Sequence, residues 1–364
     1  MSYLRDDPDL KLQIVLFNSS LLDKYGDVSK LIEGDRFRVD FKIFNLLEGE
    51  TPLTMAKSTG LALLELPSCL EKLNPDLVFT VGDRFECISI ALAASYMNIP
   101  VAHTMGGEVT GTIDESIRHA ITKLSHVHFA ASEGAKKRII LLGEDQRYVF
   151  NVGCPRIDTV EKVLSQKFSL PNKFVNSIGV GDKLDLNNPY VILSQHPVTT
   201  EFKDSDKQME ISLNVLSKLD IQKIVLWPNA DAGSSKTARV IRKFRESKKQ
   251  TKIRFFKNLP LDVYIKVLST TKCILGNSSS GVREGNYMGV PCVNIGTRQQ
   301  GREKGSNVIS VNFEKNEILE AINKQIMIGK YKKGNIYGDG NSAKKIIKIL
   351  KRLKNINIKK QNSY

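Results

Sequence analysis

The sequence predicts an α/β protein of two Rossmann-like, doubly wound parallel-sheet domains facing a cleft. Three observations predict it. Short apolar runs alternate with segments of helical period along most of the chain. Polar, small-residue loops follow those runs, at the carboxyl ends where open α/β sheets bind ligands. And 364 residues are too many for a single core.

Taken in order, Met1 to Leu10 reads as the tail of a helix and Leu12 to Phe17 as a strand. An α/β domain ordinarily places a strand and loop before such a helix, so the first strand of the N-terminal domain is expected to be missing. Leu61 to Leu73 has helical spacing, with Pro67 expected to bend it. Asp76 to Val81 reads as a buried strand that breaks into Gly82-Asp83-Arg84-Phe85-Glu86, and Cys87 to Met97 as an apolar helix. Ile99 to Thr104 is the next strand, with the loop to Glu108 behind it. Thr110 to Glu115 opens a helix over Arg118 to Leu124. His126 to Ala131 and Val149 to Val152 close the first series. Leu170 to Pro189 lacks periodicity and reads as the link.

The alternation then restarts. Strands over Tyr190 to Ser194, Ile224 to Trp227 and Ile253 to Phe256 end at Gln195-His196-Pro197, at Pro228 to Gly233 and at Lys257 to Pro260. Cys273 to Leu275 breaks into Gly276-Asn277-Ser278-Ser279-Ser280-Gly281, a helix is expected from about Gly281 to Met288, and Cys292 to Ile295 is a strand. A strand feeding a small-residue loop and a helix start favours negative charge. Arg298 and Arg302 suit bidentate phosphate contact, and Glu284 suits the hydroxyls of a ribose. The unit therefore reads as a nucleotide diphosphate socket, the alternative being a serine-capped helix start. A final amphipathic helix places Ile346, Ile349, Leu350, Leu353 and Ile356 on one face, with lysines opposite.

Composition narrows the class. No stretch approaches the apolar length that spans a bilayer, and no secretory signal opens the chain. The five cysteines are scattered without a CxxC pair, which suits reduced, buried thiols in a cytoplasm and argues against a metal site or disulfide framework. The net charge of +15 raises nucleic acid as a partner, but no nucleic-acid motif accompanies it, and a lysine-rich solvated surface accounts for it. Neither nucleic acid nor membrane is expected as a partner.

Among the histidines, His196 is the functional candidate, because it leaves a strand toward the expected cleft; His103, in an apolar strand, reads as structural. Asp83, Glu108, Asp114 and Glu115 occupy two neighbouring strand-end loops. Carboxylates brought together in this way suit acid and base roles. Each has an alternative: Glu115 closing a capping box with Thr112, Asp114 favouring the helix dipole, Asp83 capping. The absence of GxSxG, GxxxxGK[ST] and GxGxxG argues against serine hydrolase, P-loop and nicotinamide chemistry.

The stretches GDRFE, HTMGGEVTGTIDESIRHAITKLSH, VGCPRID, SQHPVTTE, WPNADAGS, LGNSSSGVRE, NIGTRQQGR and IYGDGN together resemble the hydrolysing UDP-N-acetylglucosamine 2-epimerases, in the branch serving sialic and legionaminic acid pathways. The resemblance implies the glycosyltransferase-B type of fold, with domains at 1–160, completed by a C-terminal helix at 340–364, and 161–339. It implies conversion of UDP-N-acetylglucosamine to UDP and N-acetylmannosamine by elimination and water addition, without metal or nicotinamide. A cytoplasmic homo-oligomer, dimer or tetramer, is expected. Carried over by position, Asp83, Asp114, Glu115 and Glu108 are acid/base candidates, and Arg84 and Arg118 shape the cleft. His196 and Arg298 meet the diphosphate above Ser278 and Ser279, Glu284 holds the ribose, and Asn229 and Leu259 lie near the nucleotide. Met105 departs from the family, standing where the vertebrate branch carries an acid. A less polar sugar, UDP-N,N'-diacetylbacillosamine, is the alternative substrate. A UDP-sugar glycosyltransferase and a non-catalytic UDP-sugar-binding protein are the alternative functions.

Overall fold

The computed structural model describes residues 1–22, 28–49, 51–167, 169–229, 231–247, 252–353 and 356–363. The chain divides into two compact units. The first comprises Met1–Val109, Ile113–Asp158 and Asn341–Tyr364; the second comprises Thr110–Thr112 and Thr159–Gly340. Ala230, inside the expected loop after Trp227, lies outside the described residues.

In the first unit, β1 (Val15–Phe17) and β2 (Phe41–Ile43) pair in parallel as a sheet of their own. Strands β3 (Val78–Val81), β4 (Val101–Thr104), β5 (Val127–Ala130) and β6 (Val149–Asn151) form a second sheet in that order, all parallel. Helices Cys87–Tyr96, Asp114–Leu124 and Glu133–Leu141 connect them. Alternate residues of β4 serve opposite faces. Val101 joins a cluster with Ala62, Leu66, Leu70 and Ala93 from the helices. Ala102 joins Val127, Phe129 and Ile346, so the C-terminal helix packs on the other face. Phe79 of β3, Phe129 of β5 and Phe150 of β6 stack in a row on one face, at 5.7 and 6.1 Å between centroids.

Several expectations need correction here. The helix expected over Leu61 to Leu73 spans Pro52–Leu73 and runs through Pro67; it starts at a capping box between Thr51 and Thr54. The sequence showed no apolar period before Leu61 because that first part is largely exposed, Leu53 at 65%. The opening helix is only Ser2–Arg5. The last helix is Ser342–Leu350, so Leu353 and Ile356 pack beside Ile346 from outside the helix.

The second unit holds β7 (Val180–Gly181), β8 (Tyr190–Ser194), β9 (Gln222–Leu226), β10 (Ile253–Phe256), β11 (Cys273–Gly276), β12 (Cys292–Ile295) and β13 (Val308–Val311). Their order is β13-β12-β11-β8-β9-β10-β7, parallel except for the antiparallel β7–β10 pair. Leu170 to Pro189 is thus part of this unit, supplying helix Asn172–Ser177 and β7. From β8 the chain winds outward through β9 and β10, then returns to the other side of β8 as β11 and winds outward through β12 and β13. The direction of winding reverses between β8 and β11, the place where an open α/β sheet leaves a crevice at its carboxyl edge. Val191, Leu193, Val225, Leu275 and Val293 of the central strands are buried against Met209, Leu213, Ile241, Ile318 and Ile322 of the helices. Burial on both faces explains why these strands read as continuous apolar runs.

Gly276 ends β11 at a φ of +116°, and a Cβ there would lie 2.2 Å from the Ser194 carbonyl oxygen. Only glycine lets the two strand ends approach this closely. The helix expected from Gly281 to Met288 is instead two short helices, Ser279–Val282 and Glu284–Met288, interrupted at Arg283. So short a helix sums few peptide dipoles, and the attraction for an anion must come mainly from the side chains around it.

Candidate active site

In the first unit, three expected residues meet through Arg118. This arginine is 1% exposed. One guanidinium nitrogen donates to the Asp83 carboxylate, and the other donates to the Glu108 carbonyl at 2.6 Å. A buried guanidinium demands such partners, and the fork geometry fixes their relative placement. Arg118 belongs to helix Asp114–Leu124, where Asp114 lies four residues earlier on the same face. The loops after β3 and β4 are therefore tied to the helix carrying Asp114. Glu115 faces His119 at 3.6 Å. The residue before this helix is Ile113, whose side chain makes no capping bond. The Glu108 side chain is buried at 3% exposure. Arg84 donates from its Nε to Glu86 at 2.9 Å, and its guanidinium lies over the Phe85 ring.

The other histidines of this unit are packed. His103 is fully buried, its Nε2–H donating to the Gly82 carbonyl at 2.8 Å and its Nδ1 lying 3.3 Å from the Thr122 hydroxyl. Burial pushes it down to about 4, against the smaller upward pull of the Gly82 bond, so it is neutral near pH 7. It holds the peptide before Asp83. His126 accepts the Val101 amide at Nδ1, and His128 lies 3.0 Å from Glu144. Burial alone would raise the Glu144 carboxyl; bonds from His128, Lys123 and Lys360 outweigh it and hold the group at about 2.

In the second unit, the expected residues follow the carboxyl ends of the strands, and His196, Ser278 and Arg298 lie around the reversal of winding. His196 follows β8, and its Nδ1 accepts the Asn229 amide at 3.1 Å. With Nδ1 an acceptor, the neutral ring carries its proton on Nε2. Ser278 caps helix Ser279–Val282, its hydroxyl accepting from the Ser280 amide at 3.3 Å. Arg298, after β12, donates to the Asn277 carbonyl at 3.3 Å. Ser279 is the first residue of the short helix. Glu284 is 7% exposed and accepts from the Ser280 hydroxyl at 3.1 Å. Leu259, after β10, is 6% exposed and its amide donates to the Asn258 side chain at 2.9 Å. Arg302 donates to Gln299 at 2.7 Å, which makes it a brace beneath the loop.

The family model described as UDP-N-acetylglucosamine 2-epimerase matches residues 2–351. The chain belongs to this family. It is 34% identical over 348 residues to the UDP-N,N'-diacetylbacillosamine 2-epimerase (hydrolyzing) of Legionella pneumophila, with 96% of this chain and 90% of that one aligned. It is also 34% identical over 327 residues to the polysialic acid biosynthesis protein P7 of Escherichia coli, covering 89% and 81% of the two chains. The crystal structure of UDP-GlcNAc 2-epimerase from Neisseria meningitidis bound to UDP-GlcNAc superimposes with a TM-score of 0.80 at 18% identity, over 97% of this chain and 95% of that one. The chain is an enzyme of the 2-epimerase family with the two-domain α/β fold of the glycosyltransferase-B type.

Sequence reasoning missed two 2-epimerase residues at the reversal. Asn277 and Gln299 are 0% and 1% exposed and hold the loops together. They stood inside the quoted motifs LGNSSSGVRE and NIGTRQQGR. The charged and hydroxyl neighbours were chosen because charge signals a phosphate partner, and a neutral amide carries no such signal. A further tie, the Thr297 hydroxyl donating to Glu201 at 2.5 Å, joins the loops after β8 and β12.

Proposed function

We propose that the chain is a hydrolysing 2-epimerase converting UDP-N-acetylglucosamine to UDP and N-acetylmannosamine, for synthesis of sialic-type acids. The observation that carries it is the gathering of His196, Ser278 and Arg298 around Asn277 at the reversal of the second sheet, which brings an imidazole, a hydroxyl and a guanidinium, groups suited to an anion, to one strand-end crevice. In this reading His196 and Arg298 take the diphosphate with Ser278 and Ser279, Glu284 takes the ribose hydroxyls, and Asn229 and the Leu259 loop flank the nucleotide. The first unit supplies acid and base: Asp83, Asp114, Glu115 and Glu108, with Arg84 and Arg118 placing them. One carboxylate removes the proton from C2 as the C1–oxygen bond breaks and UDP leaves with the electron pair, giving a 2-acetamidoglucal. Water then adds its hydroxyl to C1 while a proton returns to C2 on the opposite face. Stabilising the departing diphosphate is the largest electrostatic demand. The same reading makes the enzyme a cytoplasmic homo-oligomer that binds neither nucleic acid nor membrane.

A second reading, the same chemistry on UDP-N,N'-diacetylbacillosamine, is favoured by the name of the Legionella relative and by Met105. Met105 has a φ of +65°, which a non-glycine residue seldom adopts, and its amide donates to the Phe129 carbonyl at 3.0 Å. A thioether in the loop that carries Glu108 suits a 6-deoxy, 4-acetamido sugar better than a hydroxyl-rich one. Turnover of both UDP-sugars, followed by NMR of the products, separates the readings. Release of free N-acetylmannosamine supports the first, and turnover of diacetylbacillosamine alone supports the second. Transfer that needs an acceptor, with no free amino sugar, overturns both in favour of a glycosyltransferase. UDP binding with no turnover of either sugar leaves a binding protein.

A further inference from the structure

The geometry points to Asn277 as a positioning residue that sets the imidazole of His196. This rests on the 2-epimerase reading for its consequence but not for its geometry. Asn277 follows β11 and is fully buried. Its side-chain oxygen accepts from the His196 amide at 2.7 Å, and its side-chain nitrogen donates to the His196 carbonyl at 2.8 Å. One partner is solely a donor and the other solely an acceptor, so the orientation of the carboxamide is determined. Both polar groups of the His196 peptide are thereby held by one side chain from the other side of the reversal. With the peptide fixed, Nδ1 stays beneath the Asn229 amide and the proton stays on Nε2.

Asn277 is itself held. Its carbonyl accepts from Gln299 at 2.9 Å and from Arg298 at 3.3 Å, and Gln299 in turn accepts from Arg302 at 2.7 Å. The chain of contacts runs from the loop after β12, through Asn277, to the histidine after β8. A displacement of Asn277 moves the imidazole and the Arg298 guanidinium together. These are the two groups assigned to the departing diphosphate. Gly276 makes the arrangement possible by bringing the end of β11 against Ser194. Asparagine is the shortest side chain whose uncharged donor and acceptor sit on separate atoms of one rigid plane; glutamine has the same group one methylene further out.

The test combines ring nitrogen NMR, UDP calorimetry and turnover on the full chain. The His196 signals are assigned by their loss in His196→Ala. In the parent protein His196 shows the Nε2–H form; in Asn277→Ala it shows a mixture of tautomers. A misplacement of about 1 Å costs turnover about 100-fold, so Asn277→Ala is expected to lose between tenfold and 100-fold. In the His196→Ala background the same change is expected to cost clearly less than in the parent, leaving only the part that acts through Arg298, because coupled residues are not additive. Asn277→Asp keeps the acceptor for the His196 amide and loses the donor. It is expected to fall between parent and Asn277→Ala, and it carries the test where the alanine variant melts too low for spectroscopy. An unchanged tautomer in the variants, or full additivity with His196→Ala, overturns the assignment. Should the parent bind no UDP at all, the 2-epimerase reading fails while the tautomer comparison still judges Asn277.

Discussion

His103 and His196 are both imidazoles at strand ends, and their surroundings separate them. His103 has both ring nitrogens engaged inside the first unit and lies at about 4, well under its ordinary 6.5. The folded form therefore binds fewer protons than the unfolded chain between those values, so its share of stability is present above about pH 6.5 and is lost as pH falls toward 4. An amide at this position can still donate to Gly82. We expect His103→Gln to lose less melting temperature than the parent between pH 7.5 and 5; equal losses would show that the imidazole is not held neutral. His196 has its Nδ1 engaged by the Asn229 amide, so the neutral ring carries its proton on Nε2. His196→Ala is expected to reduce turnover by at least about 100-fold with the melting temperature preserved, and Asp83→Asn to reduce it as much with a lower melting temperature, since the buried Arg118 loses a charged partner. Near-parent rates in both would remove the site assignment. The sequence pointed to His196 and the acids because each follows a strand end. It could not show Arg118 as the buried knot between Asp83 and Glu108, since burial of an arginine leaves no pattern in the residues around it.

At the scale of elements, the strands buried on both faces were the legible ones. Tyr190–Ser194, Ile253–Phe256 and Cys292–Ile295 have the bounds that their apolar runs suggested. The edge strand Val308–Val311 and the short Phe41–Ile43 went unseen, since neither is buried enough to stand out from its flanks. Helix Glu133–Leu141 was missed because basic residues interrupt its apolar face, although Ser132 caps it by accepting from the Ala135 amide. The broken helix after β11 was read as one, because nothing in Gly281 to Met288 marks the interruption at Arg283. The approach of β11 to β8 gives a direct prediction. Gly276→Ala forces a Cβ against the Ser194 carbonyl in a left-handed backbone. It should cost about 1–3 kcal/mol of stability and weaken UDP binding with it. A variant with unchanged melting and UDP affinity would mean that the strand ends are further apart than described.

On the scale of the whole molecule, part of the positive charge proves to be internal bracing. Lys351 pairs with Asp7 at 3.1 Å and Asp9 at 2.7 Å. Lys360 pairs with Glu144 at 2.5 Å and donates to the carbonyls of Lys123 and Ser125, at the end of the helix that begins with Asp114. A cation there satisfies carbonyls that a helix end leaves open. Lys360→Met should lower the melting temperature and weaken turnover mildly, through the helix that carries Asp114; no change in either would make the tail a passive surface. The two units follow from the alternation of strands and helices, and the family from eight motifs in its order. The sugar is less legible, because Met105 is a single residue and its relatives carry different names. The measurement closest to the central claim is incubation with UDP-N-acetylglucosamine in deuterated water, with NMR of the products. The account predicts UDP and free N-acetylmannosamine bearing deuterium at C2, whereas UDP with N-acetylglucosamine still protonated at C2 would contradict it.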